Sequence, residues 1–67
     1  MAKTEKTIEE MILRNFQHSR SNFRRLTDDE YVGYVTASTM LLNNVGGESR
    51  IIDVLSEARR LFQAGRI

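Results

Sequence analysis

The chain contains no cysteine, no proline and no tryptophan, and a single histidine. Without cysteine there is no disulfide to brace a small fold and no thiolate to bind a metal. His18 alone cannot build a zinc site, so no metal or other cofactor is expected. No proline interrupts the helical patterns. No apolar run approaches the length of a bilayer crossing, so no membrane partner is expected. Neither charge sign dominates: Lys and Arg number 10, Asp and Glu 9, and the formal net charge is +1. That is not the balance of a dedicated nucleic-acid binder, which usually carries a strongly basic domain. No apolar h-region follows MAKTEKT, so no signal peptide is expected and the cytoplasm is the expected location. No nucleophile, base and acid can be placed in order around His18, Asp28, Asp29 and the serines. The chain is therefore read as non-enzymatic.

What is present is enough for one small folded domain. A length of 67 residues allows one domain, and an apolar content of 40% supplies a core. A chain of this size buries only about 60% of the surface it exposes when unfolded. Small domains commonly need a disulfide, a metal or an oligomer to gain stability. With the first two set aside, self-association or a larger partner remains, beside very good helix packing.

The chain is organised around its most apolar stretch, 27–45. Thr27 followed by Asp28, Asp29 and Glu30 is a capping box. The threonine hydroxyl accepts from the Glu30 N–H, and the Glu30 carboxylate reaches back to the Thr27 N–H. Three acids in one turn also suit the positive end of a helix dipole. Tyr31, Tyr34, Val35, Ala37, Leu41, Leu42 and Val45 then cover a broad face, wide enough for two neighbours, with Thr36, Met40, Asn43 and Asn44 behind. Gly46 and Gly47 are the expected stop. Residues 31–39 compete as a strand, being rich in β-branched and aromatic residues and interrupted by Gly33. Helix is favoured because the apolar pattern continues through Met40, Leu41 and Leu42 with no turn residue.

Residues 1–6 are polar and expected to fray; 7–67 form the domain. Thr7 and Glu10 repeat the capping box. A first helix over 7–25 follows Ile8, Met11, Ile12, Phe16, Phe23 and Leu26. Residues 18–22 are poor helix formers, so a break there is the alternative to a continuous helix. The third helix, 48–64, lines up Ile51, Leu55, Ala58 and Phe62, with Val54 and Leu61 beside them, and ends at Gly65. The fold class is all-α: a three-helix domain with antiparallel neighbouring helices, completed by self-association.

Arg14, His18, Arg20, Arg24 and Arg25 are the candidate contacts to a partner or to phosphate. On an unbroken helix, Arg14, His18 and Arg25 gather opposite the apolar stripe, with Arg20 and Arg24 to one side. Guanidinium forks suit phosphate oxygens, and Phe16 or Phe23 could stack on a base if exposed. The competing reading is a solvated face, with acids at the helix start and bases at its end, as in the third helix. A helix-turn-helix over the last two helices fits the turn, but Asp53 and Glu57 would face phosphates. Gly33 and Ala37 form a small-x-x-x-small pair that could admit a neighbouring backbone, but in a soluble chain the pattern is weak and chance is the better explanation. Asn15, Ser19 and Ser38 lie on apolar faces and must be paired where buried. Met11, Phe16, Tyr31, Tyr34 and Ile52 are the candidate self-association residues. The expected function is that of a small adaptor, inhibitor or regulator that binds another macromolecule, as a homodimer with an unidentified protein partner. A nucleic-acid-binding regulator using the first helix's basic face is the alternative.

Overall fold

The computed structural model describes residues 7–17 and 20–67, with only the backbone at 20 and 21. Three helices follow one another: α1, Ile8–Phe16; α2, Asp28–Leu42; and α3, Glu48–Gln63. A 3₁₀ turn, Arg20–Phe23, lies between α1 and α2. No strand occurs among the described residues, and 31–39 are helical.

Both capping boxes form. The Glu10 N–H donates to Thr7 Oγ1 over 3.1 Å and the Thr7 N–H to Glu10 Oε1 over 3.3 Å. At α2 the same two bonds measure 3.2 and 2.8 Å. They satisfy backbone donors that a helix start leaves without intrahelical partners.

The helix stops differ from expectation. α1 does not continue to residue 25; Gln17 leaves helical geometry with ψ 124° while its N–H still donates to the Leu13 carbonyl. The weak helix formers that follow cannot propagate the helix. Arg24, Arg25 and Leu26 are thus the end of the link between α1 and α2. α2 ends before Gly46. Asn44 takes the left-handed conformation, φ 54°, and its N–H donates to the Leu41 carbonyl while that of Val45 donates to Met40. This is a Schellman closure made by asparagine, the non-glycine residue best suited to that region. Gly47, φ 102°, instead precedes α3 as its N-cap. α3 closes as expected. Gly65, φ 76°, and Arg66 donate to the carbonyls of Phe62 and Leu61.

The core is built from Ile12 and Phe16 of α1, Tyr31, Val32, Val35 and Met40 of α2, Val54, Ala58 and Leu61 of α3, and Ile67 beyond the last turn. α2 buries a different face from the one expected. Thr36 and Thr39 point inward, whereas Leu41 is 82% and Leu42 70% exposed. Burying Thr36 is cheap because its hydroxyl donates to the Val32 carbonyl at 2.8 Å. The stripe of α3 is rotated too: Val54, Ala58 and Leu61 form its centre, Leu55 and Phe62 its half-buried flank, and Ile51 is exposed.

Ion pairs show how the helices run. Asp29, at the start of α2, faces Arg59 near the end of α3 at 3.9 Å, so α2 and α3 are antiparallel. Glu9, at the start of α1, meets Arg60 at 3.3 Å and Arg66 at 2.6 Å, which sets the beginning of α1 against the end of α3.

Candidate functional site

The chain's five aromatic side chains form one connected array. Phe16 meets Tyr34 edge-on, with centroids 5.7 Å apart and planes at 87°. Phe23 lies 4.9 Å from Tyr34 and 6.0 Å from Tyr31. Tyr31 in turn lies 5.7 Å from Phe62. The array joins α1, the 3₁₀ turn, α2 and α3, and such offset pairs each add about 0.5–1.5 kcal/mol beyond area burial. Phe16 and Tyr31 are therefore core residues, not self-association surface: they retain 6% and 0% of their exposure. Met11 is half-buried. Tyr34 and Ile52 are exposed, as a surface role requires.

The break after α1 dismantles the basic face as a helical arrangement. Arg14 is exposed on α1, while Arg24 and Arg25 are exposed on the link, beside Asn22, Phe23 and Leu26. His18 and the side chain of Arg20 lie outside the described residues. Phe16 is buried and offers no open face to a base, and Phe23 is half-buried against Tyr31 and Tyr34. At the start of α3, Glu48 and Asp53 are exposed where a recognition helix would meet phosphates.

Other charged groups work within the fold. Arg60 donates from Nε and Nη2 to the Glu57 carboxylate at 2.8 and 3.0 Å. The hydrogen bond holds the Glu57 carboxyl below the usual glutamate range and raises the Arg60 guanidinium. The Thr27 backbone N–H, with help from its hydroxyl, likewise lowers Glu30. No group of three His, Cys, Asp or Glu among the described residues could hold a metal ion. No described helix is long and apolar enough to cross a membrane.

What the structure brings together is an uncharged surface on α2. An open groove between α1, the 3₁₀ turn and α2 is lined by Asn15, Phe16, Asn22, Phe23, Tyr34, Ser38, Leu41 and Leu42. Asn15 and Ser38, two of the polar residues placed on apolar faces, both belong to it. The Asn15 side-chain nitrogen is buried with no hydrogen-bond partner; Ser19 lies outside the described residues. Next to the groove, Gly33, Tyr34, Ala37 and Leu41 form the outward face of α2. A surface helix ordinarily carries charge outward, yet no residue from 31 through 47 is charged. That run was the signal available in the sequence. Hydropathy masks it, because it assigns Leu41 and Leu42 to the core.

Compared with known proteins, the chain matches no family model, no curated protein and no solved structure.

Proposed function

We propose that the chain is a non-enzymatic interaction module, an adaptor, inhibitor or regulator that acts by binding another macromolecule through α2 and the groove beside it. The observation that carries the reading is the outward face of α2. It combines Gly33, Ala37, Tyr34 at 46% exposure and Leu41 at 82% with no charge. Hiding that much apolar surface supplies a driving force of about 25 cal/mol per Å², and exposed apolar patches mark contact sites. The flanking groove adds adaptable polar groups in Asn15, Asn22 and Ser38.

Affinity capture from the native host tests the reading. Wild type and Leu41→Glu are compared, with circular dichroism as the check on folding. A protein retained by the wild type and lost with Leu41→Glu supports an interaction surface on α2. Identical captures would remove this face from the function.

A further inference from the structure

We propose that the occupant of the outward face of α2 is a second copy of this chain, with two α2 helices packed antiparallel across a two-fold axis. The proposal rests on reading α2 as an interaction surface and adds the identity of the partner.

Gly33 is the first argument. A glycine inside a helix costs stability relative to alanine, and the fold itself gives no reason for one here. Gly33 has ordinary helical backbone geometry, and a Cβ built on it would meet nothing within 4 Å. Within one chain the missing side chain serves no contact. Across a two-fold axis it lets a second helix approach closely, as does Ala37 one turn on. Tyr34 and Leu41 then supply larger side chains along one flank of the close approach.

The second argument is area. Among the described residues, Tyr34, Leu41, Leu42, Ile51 and Ile52 are the exposed large hydrophobics. Summed over α2 and α3 they expose roughly 600 Å² per chain, of which Tyr34 and Leu41 lie on the outward face of α2, against the ~800 Å² per partner of a standard interface. In the antiparallel register that sets Asp29 beside Arg59, Ile52 stands level with Thr36, two turns along.

Charge decides between partners. From Tyr31 to Gly47 the face carries no charge, so it offers no cation to a phosphate backbone, and its one charged end is the acidic first turn. A second copy brings the same neutral surface. Antiparallel pairing also sets the acidic first turn, Asp28, Asp29 and Glu30, against the Asn43 and Asn44 end of the other α2, so the two acidic turns stay apart. Closed two-fold pairing is the commonest form of soluble oligomer.

Sedimentation equilibrium of the intact chain, from micromolar to millimolar, tests the proposal on wild type, Gly33→Leu and Leu41→Glu. The wild type should reach a dimer mass, and its melting temperature should fall on dilution. Gly33→Leu is the sharper variant, because the open space around Gly33 leaves the fold undisturbed. It should keep its helicity and melt no lower than wild type when dilute, yet dimerise at least tenfold more weakly. A wild type that is monomeric at the highest concentration, or a Gly33→Leu chain that dimerises as tightly as wild type, would overturn the proposal. A monomer that still captures a protein through Leu41 removes the second copy and leaves the interaction surface standing. A monomer with no Leu41-dependent partner removes both.

Discussion

The Phe23 ring lies 4.9 Å from that of Tyr34, with the planes tilted by 47°. That contact makes the link between α1 and α2 part of the fold. The 3₁₀ turn ends at Phe23, whose ring is half-buried against Tyr31 and Tyr34. Truncation to alanine should therefore cost about 2 kcal/mol, below the 3–5 typical of a fully buried phenylalanine. Urea denaturation of Phe23→Ala measures it. A loss under about 0.5 kcal/mol would mean that the turn is not anchored by its ring.

α3 should depend on Leu61 more than on Leu55. Leu61 is fully buried and Leu55 only half-buried. Leu61→Ala is expected to cost about 2–5 kcal/mol, a large share of what a small domain possesses, and Leu55→Ala distinctly less. Equal midpoint shifts in paired denaturation curves would show the α3 stripe to be centred elsewhere.

The sequence showed where helices start better than where they stop, and periodicity better than facing. Thr7 with Glu10 and Thr27 with Glu30 are local devices whose partners lie three residues apart, so pattern alone finds them. The end of α1 had a local signal in the weak helix formers at 18–22, but the apolar pattern running on to Phe23 and Leu26 competed with it, and Phe23 packs on Tyr31 and Tyr34 from the separate turn instead. The stop at Asn44 was hidden by two glycines nearby that looked better suited to it. The face of α2 was misread because hydropathy ranks Leu41 above Thr36. The Thr36 hydroxyl bonds its own helix and so enters the core at little cost, while Leu41 faces out. The candidate contacts Arg14, His18 and Arg25 share a face only on an unbroken helix, and the end of α1 at Phe16 undoes that geometry.

The two buried threonines of α2 should respond oppositely to valine. Thr36 donates to the Val32 carbonyl, whereas the Thr39 hydroxyl is buried without a hydrogen-bond partner. An unsatisfied buried hydroxyl is costly, and an apolar isostere removes that cost. Thr39→Val should raise stability by about 1 kcal/mol, and Thr36→Val should be neutral or destabilising. Thermal melts of both variants check the contrast, and a destabilised Thr39→Val would contradict it.

Stability should weaken in acid. Glu30 and Glu57 have carboxyls held below the ordinary glutamate value, Glu30 by the Thr27 N–H and Glu57 by Arg60. The unfolded chain therefore takes up these protons first. Their contribution is complete above the ordinary glutamate range and is lost as pH falls through the depressed folded values, below about pH 4.3. The urea midpoint should stay level from neutral pH to about pH 5 and fall beneath it. Replacing both residues by glutamine should flatten that fall; an unchanged slope would assign it to other carboxylates.

Replacing Arg14, Arg24 and Arg25 together should leave helicity unchanged. All three are exposed, and exposed substitutions usually stay within about 0.5 kcal/mol each. A collapse of the circular dichroism signal would give these arginines a structural role.

The most direct measurement is an isotope-filtered NOE experiment on a mixture of labelled and unlabelled chains at millimolar concentration. Leu41 methyl protons of one chain should show cross-peaks to Gly33 and Ala37 protons of the other, and Gly33→Leu should erase them. A spectrum with no intermolecular peaks at that concentration would contradict a two-fold contact across α2.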